Sequence, residues 1–156
     1  MNNKIKIMQI TNNLGIGGLE RVVVNLCRHL DRNKYSVSVC CLNFKGPFAD
    51  ELERGGMPVY LAHSKDPKSD HLLFWKLKDV LLHERPMIIH THNTNALIDG
   101  AIAGLLACIP IRVHTDHARK FPDKLRYMLA EHVISRFLDR IIAVSAETKN
   151  NLMKYE

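Results

Sequence analysis

Two short segments carry most of the side chains able to do chemistry: His90-Thr91-His92-Asn93 and His114-Thr115-Asp116-His117. Near neutral pH an imidazole can move a proton, bind a metal or hydrogen-bond a ligand. A third segment, Asn12-Asn13-Leu14-Gly15-Ile16-Gly17-Gly18-Leu19-Glu20-Arg21, leads into apolar residues at 19, 22, 23, 26, 27 and 30, which is helical spacing. Glycines at a strand-to-helix turn let a ligand approach the backbone, and the helix N-terminus then offers free N–H groups to an anion. Ser145, ahead of Ala146-Glu147-Thr148, reads first as the N-cap of a helix. Contact with a ligand on the same side is its second reading.

Alternation along a strand puts His90 and His92 on one side. His90 and His114 read as hydrogen-bonded core residues. His92 and Asn93, with His117, are expected at the rim of the sheet, where His92 and His117 read as ligand contacts. Four histidines at two strand ends also fit a metal site, with Asp116 orienting a ligand, as in a metal-dependent hydrolase. The glycine loop is not a dinucleotide fingerprint: after Gly15 and Gly17 the third glycine position holds Glu20, and Leu42-Asn43 ends the second strand where an acid is needed. Glu20 reads as an acid favoured by the helix dipole. No G-K-[ST] of a P-loop occurs. Arg119, Lys120, Lys124 and Arg126 read as a solvated basic face, or as attraction to phosphates or acidic headgroups. No aromatic-interleaved basic patch accompanies them, which disfavours nucleic acid.

These residues need a scaffold, and the hydropathy pattern supplies one. Strands are expected at Lys4–Ile10, Tyr35–Leu42, Pro58–Leu61, Met87–Thr91, Ile111–Thr115 and Arg140–Val144. Helices are expected from Leu19, at Phe48–Arg54, Ser69–Glu84, Asn95–Cys108 and Lys124–Phe137, and after Ser145. This alternation predicts a doubly wound α/β domain, Rossmann-like, with three α/β/α layers around a parallel sheet. The apolar runs Met87-Ile88-Ile89 and Ile141-Ile142-Ala143-Val144 fit strands buried on both faces. In such sheets ligands bind at the carboxyl ends of the strands, where the histidine and glycine segments fall.

The 156 residues are 46% hydrophobic and 24% charged, the size and composition of one globular domain over 1–156. Lys and Arg number 22 against 16 Asp and Glu, a formal charge of +6 that favours anionic partners. Seven Lys/Arg against four Asp/Glu lie between Arg112 and Arg140. Cys27, Cys40, Cys41 and Cys108 form no C-x-x-C pair and read as reduced core thiols. No signal peptide is legible, and the longest apolar run, Gly100 to Ile111, is shorter than the roughly 18 residues that cross a bilayer. The chain is therefore expected in the cytoplasm.

Four motifs in order, Gly17-Gly18-Leu19-Glu20-Arg21, His90-Thr91-His92-Asn93, Pro110-Ile111-Arg112-Val113-His114-Thr115-Asp116-His117 and Asp139-Arg140-Ile141-Ile142-Ala143-Val144-Ser145, resemble the N-terminal half of group 1 (family 4) glycosyltransferases of the two-domain GT-B type. The resemblance spans essentially the whole chain. It implies sugar transfer from a nucleotide-sugar substrate to a glycan or lipid-linked acceptor, as in cell-envelope or polysaccharide synthesis, with retention and with neither metal nor cofactor. Gly17, Gly18 and Arg21 would then face donor phosphates or acceptor. His92 and Asn93 would line the acceptor pocket, and His117, with His114 as its competitor, would contact the transferred sugar. Arg119 and Lys120 would meet an anionic acceptor, with peripheral contact at the inner membrane face. The nucleotide-binding C-terminal domain would be a separate partner, without which this domain is expected to be inactive. The competing readings are the metal-dependent hydrolase and a non-catalytic phosphate-binding α/β module.

Overall fold

A computed structural model describes residues 4–62, 73–117 and 125–155. In chain order the elements are β1 (Ile5–Asn13), α1 (Gly18–His29), β2 (Tyr35–Phe44), α2 (Pro47–Arg54), β3 (Val59–Leu61), α3 (Leu73–Glu84), β4 (Ile88–His92), α4 (Thr94–Leu106), β5 (Ile111–Asp116), α5 (Leu125–Ser135), β6 (Arg140–Ala143) and α6 (Ala146–Tyr155). The strands form one parallel sheet in the order β3-β2-β1-β4-β5-β6. The expected Rossmann-like α/β fold is what forms. Strand order reverses between β1 and β4, so their carboxyl ends border the crevice where such sheets bind ligands.

Each face of the sheet has its own core. On one face α1 and α2 bury Val23, Val24, Cys27, Phe48, Ala49 and Leu52 against Val37, Val39 and Cys41 of β2. On the other, α3 and α4 bury Leu73, Leu77, Leu81, Ala96 and Ala103 against Met8, Ile10 and Ile89. Helix α4 lies so close to β4 that a Cβ on Gly104 would meet Ile89 Cδ1 at 2.5 Å, and one on Gly100 would collide with Thr91 Cγ2. Glycine at these two positions sets the depth at which α4 sits over the strand carrying the histidines.

Three expectations change. Cys27, Cys40 and Cys41 are buried, and burial pushes the Cys27 and Cys41 thiols up to about 12. Cys108 is exposed at φ +53, because the chain reverses there after α4 instead of continuing the helix. Strand β6 is not buried on both faces: Ile141 and Ile142 are 44% and 47% exposed. Among the described residues β6 pairs only with β5, so one edge is open, and an edge strand has no second neighbour to cover it. Helix α5 turns Leu129 and Val133 outward and buries Glu131, contrary to the face its apolar spacing suggests. No helix among the described residues is long and apolar enough to cross a membrane.

Candidate functional site

The register of β1, β4 and β5 assembles the site. Gln9 stands opposite His90, and His92 opposite Thr115, so the outer turns of these strands share one face. The His90 and His92 rings lie 4.3 Å apart between centroids, and the His92 and His117 rings 5.4 Å apart. His92 Nε2 is 2.8 Å from Gln9 Oε1, and His92 Nδ1 is 3.2 Å from His117 Nε2. His90 Nε2 meets Thr115 Oγ1 at 2.7 Å.

This chain fixes proton positions. An amide oxygen can only accept, so with Oε1 of Gln9 facing it, His92 Nε2 carries the proton. Burial, reinforced by the neighbouring imidazoles, holds His92 down at about 2, so it is neutral and its Nδ1 is a bare acceptor. The proton between His92 and His117 therefore sits on His117 Nε2. Burial also lowers the His117 pKa, partly opposed by Glu20, which keeps the ring neutral near pH 7. His90, pushed down to about 4 by burial and then by His117, is neutral too. A buried glutamine thus sets the tautomer of a half-buried histidine at the crevice, with one histidine between them.

The structure sorts the residues expected at the site. His92 is fully buried rather than emerging at the rim, because β1 and the chain at His117 close over it. Both its nitrogens are taken, so it supplies no open metal or ligand contact in this arrangement. His117 is partly buried just past the end of β5, beside His92. His114 points to the opposite face, 4% exposed, with Nδ1–H donating to Thr91 O at 3.1 Å and Thr91 Oγ1 at 2.9 Å. Thr91 Oγ1 in turn donates to Val113 O. His114 thus faces away from the His92–His117 pair.

Asn93 is the N-cap of α4, at φ +70, its side chain accepting from Ala96 N at 3.2 Å. Asparagine tolerates that left-handed geometry better than most residues. Ser145 caps α6, accepting from Thr148 N at 3.0 Å. Gly17 caps α1 without a side chain, so no cap hydrogen bond occupies the first-turn amides. A Cβ on Gly17 would collide with the Glu20 carboxylate, which folds back over it. A Cβ on Gly18 would meet nothing within 4 Å. Arg21, expected at the ligand, instead lies 4.0 Å over the Phe48 ring and 3.4 Å from Glu51, which also holds Arg28 at 2.7 Å. Its helical position faces α2, and a guanidinium takes the nearest aromatic face and carboxylate. Arg119 and Lys120 lie outside the described residues, as does Lys124. Among the described residues no three His, Cys, Asp or Glu side chains are grouped to hold a metal ion.

Gln9 was not singled out by its sequence context. Its signal is a polar residue at an inward position of the apolar run Ile7-Met8-Gln9-Ile10, where an unpartnered amide would be costly. A second polar group escaped notice as well. Asn12, Asn43, Asn95 and Asp99, with Leu42, Leu73 and Ile98, line a cavity of about 160 Å³ at the ends of β1 and β2 and the start of α4.

The family model for Glycosyltransferase Family 4 matches residues 16–156. The chain belongs to glycosyltransferase family 4. A curated relative is the UDP-Gal:alpha-D-GlcNAc-diphosphoundecaprenol alpha-1,3-galactosyltransferase of Escherichia coli, 28% identical over 97% of this chain and 41% of its own length. Among solved structures, Anabaena HepE in complex with UDP superposes with a TM-score of 0.75 at 20% identity, covering 97% of this chain and 41% of that one. The lipopolysaccharide outer core galactosyltransferase WaaB, in its apo form, gives 0.69 at 17% identity over 97% and 42%. These superpositions share the fold of this family-4 domain. The chain spans about two fifths of the length of the relatives it matches.

Proposed function

We propose that this family-4 chain forms the acceptor-side half of a GT-B glycosyltransferase, and that His117 contacts the transferred sugar at the reaction centre. The observation that carries the reading is the Gln9–His92–His117 chain at the strand-order reversal of a family-4 domain. A neutral histidine whose Nε2–H is already given to His92 offers Nδ1 as an acceptor. It can orient a sugar hydroxyl but supplies no positive charge. The donor diphosphate would meet the uncapped N-terminus of α1 at Gly17 and Gly18, displacing the Glu20 carboxylate from above Gly17.

Transfer with retention, without metal, from a UDP-activated hexose to a polyprenyl-diphosphate-linked sugar is the reaction we assign, in line with the galactosyltransferase relative. An acceptor of that kind would hold the enzyme against the inner face of the membrane. The second half of the cleft, including the nucleotide site, would come from a further Rossmann-like domain. Groups on both sides of the breaking bond are needed for transition-state stabilisation, so the 156-residue chain alone is expected to be inactive. The test is transfer of label from a UDP-hexose to a polyprenyl-diphosphate N-acetylglucosamine acceptor by the full-length polypeptide. Transfer that collapses in His117→Ala supports the reading. Full-rate transfer by that variant removes His117 from the reaction centre, and an absence of transfer from any nucleotide-hexose overturns the assignment.

A further inference from the structure

Glu20 lies in the first turn of α1, and its side chain turns back over the residue that precedes the helix. A Cβ built on Gly17 would collide with Glu20 Oε2, and the next two nearest atoms, Cδ and Oε1, belong to the same carboxylate. The backbone does not require glycine there: at φ −166 Gly17 is extended, a conformation open to any residue. Among the described residues the Glu20 carboxylate is therefore what excludes a side chain at position 17. Gly17 forms a cradle that a Cβ would fill, and the cradle holds an anionic group.

Little holds that group in place. A glutamate three residues after an N-cap can close a capping box by accepting from the N-cap N–H. Glu20 does not: among the described residues it makes no hydrogen bond or ion pair. The adjacent Arg21 is engaged with Phe48 and Glu51 instead. What remains is the attraction of a carboxylate to the positive end of a helix, worth a factor of about two to five in an equilibrium. The contact with Gly17 is made by the far end of a flexible side chain, so it is released by rotation about side-chain bonds alone. Glu20 also acts on His117, whose protonated form its charge favours. One carboxylate thus bears on both places assigned above, the diphosphate at α1 and the sugar at His117.

We propose that Glu20 is a resident competitor of the donor diphosphate: its carboxylate holds the phosphate position over Gly17 in the empty domain, leaves when a diphosphate enters, and returns as the nucleoside diphosphate departs. The inference rests on the placement of the diphosphate at Gly17 and Gly18. Glu20 then sets how tightly the donor is held and how readily the spent nucleotide is released. An incoming phosphate gives up affinity twice, once to break the attraction between the carboxylate and the helix, and once to the like charge that stays nearby. The same carboxylate keeps the first-turn amides of α1 supplied with an anion while no donor is bound.

The experiment titrates inorganic pyrophosphate, at fixed ionic strength, into the isotope-labelled 156-residue chain and follows the backbone amide signals of Gly17, Gly18 and Leu19. Glu20→Gln keeps the shape of the side chain and removes its charge, and Glu20→Ala empties the cradle. Both variants should bind pyrophosphate about three to ten times more tightly than wild type. Amide signals outside α1 that match those of wild type show that each variant is folded. Asp79→Asn, the same charge change on the exposed side of α3, should leave the affinity as it is. A gain in Asp79→Asn equal to that in Glu20→Gln assigns the effect to net charge and overturns the competitor. Equal affinity in wild type and both Glu20 variants overturns it too, and leaves the diphosphate placement standing. Pyrophosphate that moves none of these amides in any of the proteins overturns the placement and the competitor together. Tighter binding by the Glu20 variants, without sugar transfer by the full-length polypeptide, sustains the competitor while the transfer reading falls.

Discussion

Gln9→Leu tests the proton arrangement directly. The replacement keeps the approximate volume of a side chain that is 2% exposed, and deletes the acceptor 2.8 Å from His92 Nε2. His92 is fully buried, so its Nε2–H is left with no partner, which costs about 1–3 kcal/mol. For a domain of this size each kcal/mol moves the midpoint about 2–4 °C, which gives a fall of about 2–12 °C. The second readout is the tautomer. Wild-type protein should show protonated Nε2 and bare Nδ1 at both His92 and His117 in long-range nitrogen–proton NMR. Without Gln9 the His92 proton is free to move to Nδ1, which reverses the bond to His117 and protonates His117 Nδ1. Gln9→Glu supplies an acceptor again and should restore the wild-type tautomers while raising the His92 pKa. A Gln9→Leu protein within about 0.5 kcal/mol of wild type, with both tautomers unchanged, would refute the reasoning.

Two further outcomes follow from the same geometry. His90 and His92 are held neutral by burial at about 4 and about 2, whereas unfolded histidine titrates near 6.5. The unfolded chain therefore binds more protons below pH 6.5, so stability is complete above that pH and falls on acidification toward pH 4. Each histidine contributes about 1.4 kcal/mol per pH unit, and Asp99, whose carboxyl burial raises to about 6, offsets one of them between about pH 6 and about pH 4; the net fall is read as the urea midpoint from about pH 7 to about pH 4.5, and a flat profile contradicts the burial argument. Gly100→Ala should destabilise despite alanine's better helix propensity, worth about 1 kcal/mol. The new methyl meets a Thr91 side chain pinned through Oγ1 to His114 and Val113, and overpacking of this kind costs about 1–3 kcal/mol, read in the same denaturation assay.

The local periods in the sequence placed the elements well because hydrophobic spacing is a property of neighbouring residues. Strand ends moved by a few positions: β1 extends to Asn13 and β2 to Phe44, since their last residues are held by pairing with each other. Alternation alone put His90 and His92 side by side, and the capping preferences of Ser145 were legible in the chain. His92 does not reach the rim, because burial at a strand end depends on what the next strand and loop bring over it. Cys108 and β6 failed for the same reason, apolar residues being covered only where a neighbouring element exists.

By itself, then, the sequence determined the β/α alternation, the glycine-bearing turn before α1, the paired imidazoles of β4 and the family resemblance those segments carry. The partners of those groups waited on the tertiary structure. Gln9 is 83 residues from His92, and His117 is 25 residues away. Only the strand order that sets β4 between β1 and β5 makes a single hydrogen-bonded chain of them. The cavity at Asn12 was equally invisible, because its walls come from the ends of β1 and β2 and the starts of α3 and α4, which meet only when the sheet is assembled.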